Sequence, residues 1–204
     1  ETQQGNLPVN LLYEKGQAHI RQILTVEEVQ QLYQVTSEDH YGIRERAILS
    51  LYYGCGLRSS EGIALNLEDV LLDQQMIYVR KGKGYKERYV PFVESQKEDF
   101  EHYLKQSRPK LIRDENEKAF FIGHQGKRIS YGILLKTLKR LQQRTGNEAL
   151  IQKVIGLHAL RHSIATHLMQ RGMKFDYISQ FLGHTLMSST QVYTHLAHEL
   201  EYNT

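Results

Sequence analysis

The chain has 204 residues, enough for one globular domain that buries about two thirds of its unfolded surface. Its 26 lysines and arginines exceed its 23 acidic residues by only three, so the global charge is a weak indication of an anionic partner. A single cysteine, Cys55, excludes an intramolecular disulfide. Neither a signal peptide nor a run of about 18 apolar residues is recognisable. These features predict a soluble, intracellular protein in a reducing compartment.

The first stretch, residues 1–22, carries Gly5, Pro8 and Gly16 among polar residues and has no sustained hydrophobic period. We interpret it as a linker or arm that leads from a preceding domain. Residues 23–204 then form the predicted globular domain.

The domain begins with a helix signal. Thr25 and Glu28 match a capping box, and the apolar spacing that follows predicts a helix from about Val26 to Val35. Residues 43–53 are apolar on nearly every side, which predicts a buried central helix. Glycines at Gly54–Gly56 end it.

A short helix and a hairpin come next. Arg58 opens the short helix directly after the glycine turn, where backbone amides and a guanidinium can face one anion together. Two strands, Met76–Val79 and Tyr89–Val93, are rich in β-branched and aromatic residues. The glycine-containing segment between them, with Lys81, Lys83 and Lys86, is typical of a hairpin loop.

The remaining elements are mostly helical. Further helices are predicted over Gln96–Gln106, Ile129–Arg144, His158–Gln170 and Phe175–Leu182 and from about Ser189, with one short strand over Phe120–Ile122. On the second of these helices Lys136, Arg140 and Arg144 lie four residues apart and form a basic stripe. Mainly helices with a small inserted antiparallel sheet predict a mainly α (α+β) fold.

Several side chains in this order are candidates for binding a phosphate, although none is specific alone. At 100° per residue Arg161 falls on the edge of its helix's apolar stripe, with His158 about 60° beyond it, so both can face one cleft. The structural alternatives are an ion pair between Arg161 and a core-edge carboxylate and one between Arg58 and Glu61. Lys83 alone is typical of a solvated loop, and Tyr193 is one of 13 tyrosines, most of which pack in the core.

Taken together, five motifs resemble the signature of tyrosine site-specific recombinases. They are G-L-R-S-S-E at Gly56 to Glu61, G-K-G-Y-K-E-R at Gly82 to Arg88, H-A-L-R-H at His158 to His162, L-G-H at Leu182 to His184, and Tyr193 nine residues after His184. The resemblance extends from Thr25 almost to the end of the chain. It implies the catalytic domain of that family, helical with a small antiparallel sheet.

The resemblance also implies a mechanism, the breaking and rejoining of DNA strands without metal, ATP or another cofactor. Tyr193 attacks the phosphodiester to form a 3′-phosphotyrosine, and Arg58 and Arg161 bind the non-bridging oxygens. By the same resemblance His158 helps to deprotonate the tyrosine, Lys83 protonates the leaving oxygen, His184 binds the phosphate and Glu61 orients Arg58 or a neighbour. Expected contacts to the DNA backbone are Lys81, Lys86, Lys136, Arg140 and Arg144.

The family comparison sets further expectations about assembly. Such recombinases carry an N-terminal domain that completes a clamp around DNA, so this chain is expected to be a catalytic portion that binds double-stranded DNA weakly alone. Only 11 residues follow Tyr193, which leaves assembly through the tail open, although a homotetramer on DNA is expected of the full-length protein. The expected location is the bacterial cytoplasm at the nucleoid.

Alternative functions remain open from the sequence. The same residues could relax supercoils, as in type IB topoisomerases. His158 and His162, four residues apart, could hold zinc in a hydrolase, although no H-E-x-x-H glutamate accompanies them. A non-catalytic DNA-binding module is the third alternative. Within the recombinase class, integration, transposition and chromosome-dimer resolution are not distinguished.

Overall fold

The computed structural model describes residues 23–80 and 87–183, and these ranges form α-helices and one small sheet. The helices are α1 (Val26–Gln34), α2 (His40–Leu49), α3 (Ser59–Ala64), α4 (Glu94–His102), α5 (Arg108–Leu111), α6 (Tyr131–Arg144), α7 (Glu148–Gln152), α8 (Leu157–Gln170) and α9 (Phe175–Phe181). The strands are β1 (Val70–Leu71), β2 (Met76–Val79) and β3 (Arg88–Pro91). None of the described helices is long and apolar enough to span a bilayer. The predicted fold class, mainly helical with a small antiparallel sheet, is confirmed.

The predicted capping box starts α1. Thr25 Oγ1 accepts from the Glu28 amide at 3.2 Å, and a Glu28 carboxylate oxygen accepts from the Thr25 amide at 2.8 Å. The preceding residue, Leu24, is fully buried, and its amide donates to Ser163 Oγ at 2.8 Å. The residue before the capping box is therefore fixed against α8.

The predicted central helix is α2, which is buried on almost all sides and packs against α4. It continues into a π-helical segment at Ser50–Gly54, closed by a bond of 3.0 Å from the Cys55 amide to the Ser50 carbonyl. This segment packs against α8. The buried helix and the glycine turn that ends it are both confirmed.

The three strands form an antiparallel sheet in the order β1-β2-β3. The register of the hairpin pairs Val79 with Arg88 and Met76 with Pro91, which confirms the two predicted strands as partners. The strand predicted over Phe120–Ile122 is wrong. This buried segment makes only isolated bridges, because its backbone bonds reach single positions on different neighbours, such as Arg128.

Candidate active site

The site is built around the turn that joins the π-helical segment to α3. Gly56 has a φ of +60°, a left-handed conformation that suits glycine. Two residues later Arg58 is the N-cap residue of α3, with the extended backbone that such positions need. Arg58 therefore begins a helix beside a glycine turn, as predicted.

Glu61, one turn into α3, binds this arginine twice. Its carboxylate accepts from the Arg58 amide at 2.8 Å and from Arg58 Nη1 at 2.9 Å. The alternative raised from the sequence, an Arg58–Glu61 ion pair, is therefore present. The two side chains are 15% and 7% exposed, so the pair is nearly buried and not a solvated pair on a helix surface.

A second guanidinium, from Arg88 at the start of β3, binds the same carboxylate. Arg88 Nη1 and Nη2 donate to the two Glu61 oxygens at 2.8 and 3.0 Å, which is the parallel fork of a bidentate pair. Burial by itself raises the pKa of Glu61, but Arg88 and then Arg58 more than offset it and lower that pKa to about 2. Glu61 is therefore ionised at any physiological pH.

Arg161, in α8, reaches the same region from the other side. The apolar face of the helix, with Leu160 and Ile164, is buried as predicted, and Arg161 beside it is only 5% exposed. Its guanidinium donates to the carbonyls of Gly56 and Leu182. Arg161 therefore joins the turn before Arg58 to the turn that ends α9.

The turn that ends α9 completes the arrangement. Gly183 has a φ of +70°, and a Cβ built on it would lie 2.5 Å from Arg88 Nε. The Gly56 turn packs against the residue before Gly183, because a Cβ on Gly56 would lie 3.0 Å from Leu182 Cδ2. Arg58, Arg88 and Arg161 are therefore gathered around two glycine turns, with Glu61 between the first two.

Other predicted residues have different placements. His158 is exposed in the first turn of α8, three residues before Arg161. Five predicted residues, Lys81, Lys83, Lys86, His184 and Tyr193, lie outside the described residues. The strands β2 and β3 flank the three lysines, and the described residues end at Gly183, immediately before His184.

The predicted basic stripe on α6 has an intramolecular partner. Lys136, Arg140 and Arg144 are exposed, but Arg140 and Arg144 also bind Glu45 of α2, which is 1% exposed. The Arg144 bond is 3.0 Å long. Sequence reasoning missed this carboxylate because it lies 95 and 99 residues away from the arginines.

Sequence reasoning also missed the contact of Arg88, although the residue closes the G-K-G-Y-K-E-R motif. The only available signal was a basic residue at the base of a lysine-rich hairpin. For the zinc alternative, residues 23–80 and 87–183 contain no group of three or more His, Cys, Asp or Glu side chains arranged to hold a metal.

Comparison with known proteins gives consistent matches. The model of the phage integrase family matches residues 22–199. The tyrosine recombinase XerD of Oceanobacillus iheyensis is 39% identical over 175 residues, which cover 85% of this chain and 57% of that protein. The tyrosine recombinase XerC of Thermodesulfovibrio yellowstonii is 38% identical over 179 residues, again 85% and 57% of the two chains. This chain therefore spans little more than half the length of these relatives.

Solved structures agree with the sequence matches. A crystal structure of XerA recombinase superposes with a TM-score of 0.71 at 30% identity, over 97% of this chain and 67% of the other. XerH recombinase, bound to its difH substrate in a pre-cleavage complex, gives a TM-score of 0.65 at 25% identity, over 85% and 50%. The resemblance to tyrosine site-specific recombinases is thereby confirmed, and the chain belongs to the phage integrase family.

Proposed function

We propose that the chain is the catalytic part of a site-specific DNA recombinase that cuts and rejoins strands through a 3′-phosphotyrosine. The observation that carries the proposal is that the Arg161 guanidinium donates to the carbonyl of Gly56, two residues before Arg58, the N-cap residue of α3. Two arginines far apart in sequence are expected to lie at one turn when both bind one phosphodiester.

The proposed reaction needs positioning and charge more than covalent help from the protein. The Tyr193 oxygen bonds to phosphorus, and the bond from phosphorus to the 5′ oxygen breaks. His158 receives the phenolic proton, and Lys83 donates a proton to the departing 5′ oxygen. Arg58, Arg161 and His184 bind the phosphate oxygens, and Glu61 orients Arg58. Rejoining is the reverse, so the bond energy stays in the phosphotyrosine and no ATP is consumed.

Double-stranded DNA is the proposed substrate and partner, and the XerH complex with difH supports this choice. Lys81, Lys86 and Lys136 contact backbone phosphates, which makes binding salt-dependent. Arg140 and Arg144 contribute their exposed faces to the same surface while they hold Glu45. The full-length protein acts as a homotetramer on DNA, and its place is the bacterial nucleoid.

The test is trapping on a nicked suicide duplex, in which the short cleaved strand diffuses away and prevents rejoining. With EDTA present, the expected product is a covalent protein–DNA adduct that disappears in Tyr193→Phe while DNA binding persists. The duplexes are taken from the DNA that flanks the gene.

The same assay separates the competing functions. An adduct that survives Tyr193→Phe would move the nucleophile to another tyrosine, of which Tyr202 is the nearest. Loss of the adduct in EDTA, with stoichiometric zinc in the protein, would favour the hydrolase. Relaxation of any supercoiled plasmid without strand exchange would place the chain with the topoisomerases.

A further inference from the structure

Arg88 has no part in the mechanism given above. It nevertheless lies close in sequence to Lys83 and is bonded to Glu61, two residues that the mechanism uses. It is the first residue of β3, pairs with Val79 of β2 and follows the lysine-rich segment 81–86. Its side chain is only 10% exposed. A charged side chain is rarely buried to this extent unless it is paired.

The pairing of Arg88 is with the carboxylate that also holds Arg58. Glu61 receives two bonds from Arg88, of 2.8 and 3.0 Å, and two from Arg58, one through its amide and one through its guanidinium. A carboxylate has about four lone-pair sites, so these four bonds fill it. Two arginines share one negative charge, which leaves this buried cluster with a net positive charge.

We propose that Arg88 is a positioning residue for Arg58: it fixes Glu61 by a two-bond fork and shares the Glu61 charge, so that Arg58 keeps positive charge for a phosphate. The inference rests on the proposed phosphoryl transfer. If Arg88 were absent, Arg58 would be the one arginine bonded to Glu61. The negative charge of Glu61 would then neutralise most of the electrostatic potential that Arg58 exerts on a phosphate. In a nearly buried site, where the dielectric constant is low, this loss is larger than it would be in water.

A second contact supports a role beyond stability. The Arg88 guanidinium lies directly against Gly183, where a Cβ would be 2.5 Å from Nε and 2.7 Å from Cζ. Arg88 Nε is buried and has no acceptor among the described residues. A buried donor without an acceptor reduces stability, so this placement is not expected of an arginine kept for stability alone. Arg88 instead contacts Glu61, which holds Arg58, and the glycine that precedes His184.

The first test compares Arg88→Gln with Arg80→Gln in single-turnover cleavage of the suicide duplex. Arg80 is the matched control, because it follows β2 in the same hairpin and pairs with Asp69 instead of Glu61. Both variants lose one positive charge. Arg88→Gln should slow cleavage roughly 100-fold, as misplaced catalytic groups do, while weakening DNA binding no more than Arg80→Gln does. Equal cleavage rates in the two variants would overturn the proposal.

Arg88→Lys covers the case in which Arg88→Gln does not fold. Lysine keeps the charge but cannot form the two parallel bonds, so cleavage should fall by less than in Arg88→Gln and remain below the wild-type rate. A wild-type rate in Arg88→Lys would show that the fork does not position Arg58.

A double-mutant cycle with Glu61→Gln shows whether Arg88 acts through that carboxylate. If it does, adding Arg88→Gln to Glu61→Gln should cause no further loss of cleavage. If Arg88 contributed only to structure, Arg88→Gln would lower the cleavage rate further in the Glu61→Gln background. This result would contradict the proposal.

The last readout needs no DNA and separates this inference from the proposed function. Arg58 faces Glu61 from α3, Arg88 from β3, and Tyr52 from the π-helical segment. Burial raises the pKa of Glu61, so without Arg88 that pKa should move upward from its value of about 2. The difference in Tm between Arg88→Gln and wild type should therefore narrow as the pH falls from about 7 to about 4.

The Glu61→Gln background is the control for this pH series, because Arg88→Gln should there give a Tm difference that does not change with pH. If the Tm difference caused by Arg88→Gln were independent of pH in the wild-type background as well, Arg88 would not be coupled to the ionisation of Glu61. A wild-type chain that forms no DNA adduct would refute the proposed function, and the pH series would still decide whether Arg88 controls the ionisation of Glu61.

Discussion

Two carboxylates in this protein are each held by two arginines, and the two clusters differ in where the arginines lie. Glu61 in the site and Glu45 in the central helix are 7% and 1% exposed. The partners of Glu61 are 15% and 10% exposed, whereas those of Glu45, Arg140 and Arg144, are 47% and 36% exposed. The two carboxylates are buried to a similar extent, whereas the arginines that bind Glu45 are much more exposed than those that bind Glu61.

The difference in cation exposure separates a site from a structural contact. Exposed guanidiniums are screened by water and salt, so the Glu45 cluster mainly attaches α6 to α2. In the Glu61 cluster both cations are nearly out of water, and their excess positive charge acts at lower dielectric on whatever lies beside them. Breaking each cluster should therefore change a different property, activity in one case and stability in the other.

The largest expected effect comes from removing Arg58. Arg58→Ala should reduce the single-turnover cleavage rate by roughly 100- to 1,000-fold, as loss of one donor to a developing oxyanion does. Glu45→Gln breaks the other cluster and should leave the rate at saturating DNA close to wild type. Quenched-flow cleavage with gel separation measures both. Comparable rate losses in the two variants would show that burial of the arginines does not distinguish the clusters.

The next largest effect is on stability and concerns the Glu45 cluster. Replacing Arg140 and Arg144 together by alanine leaves a buried carboxylate without its partners, which should cost about 3 kcal/mol of unfolding free energy. Glu45→Ala instead leaves two exposed arginines that water can solvate, so its cost should be nearer 1 kcal/mol. Urea unfolding measures both values. Equal costs would mean that the carboxylate is less buried in solution than in the structure.

A third prediction concerns the glycine that packs on the Glu61 cluster. Gly172 and Gly183 both have positive φ, but a Cβ on Gly172 would meet nothing within 4 Å, whereas one on Gly183 would meet Arg88. Gly172→Ala should therefore cost about 1 kcal/mol for its backbone alone. Gly183→Ala should cost about 2 kcal/mol, because the methyl group also displaces the guanidinium. Thermal unfolding gives the difference, and equal Tm values would place Arg88 away from Gly183.

These comparisons also explain which features the sequence could predict. Local patterns were reliable: the capping box at Thr25, the β2–β3 hairpin and the placement of Arg58 at a helix start all depend on residues a few positions apart. Such contacts follow from backbone geometry, so spacing alone determines them.

The partners of the site residues could not be predicted in this way. Arg88 lies 27 residues from Glu61, and Arg161 lies 105 residues from Gly56, so no helical or strand period connects them. Periodicity placed Arg161 at the edge of its helix's apolar stripe, because a helical wheel includes only one helix. The turns at Gly56 and Leu182, contributed by other segments, cover that edge and bury the side chain.

The smallest expected effect concerns pH, to which the Glu61 cluster should be insensitive near neutrality because its carboxyl pKa is about 2. A different group, His167 of α8, is 5% exposed, and the ordinary pKa of a histidine, about 6.5, lies in that range. Its Nε2 bonds the Leu24 carbonyl at 2.9 Å and must donate there, so in the neutral ring Nδ1 accepts from the Tyr53 hydroxyl, also at 2.9 Å. Burial lowers the pKa of His167, and the nearby Arg171 lowers it further.

The sign of the pH effect follows from the lowered pKa. As the pH falls below about 6.5, the unfolded chain takes up a proton at His167 before the folded chain does, so the unfolding free energy decreases until the folded-state pKa is passed. In His167→Gln the amide can donate to Leu24 and accept from Tyr53 without titrating, so this part of the decrease should disappear. Glu61→Gln should keep the decrease, because the Glu61 carboxylate does not change its charge in this range. Urea unfolding between about pH 7 and about pH 5 measures the slopes. If the pH dependence of the unfolding free energy disappeared in Glu61→Gln and persisted in His167→Gln, the titrating group would be the Glu61 carboxyl. The Glu61 cluster would then be sensitive to pH near neutrality, contrary to the prediction.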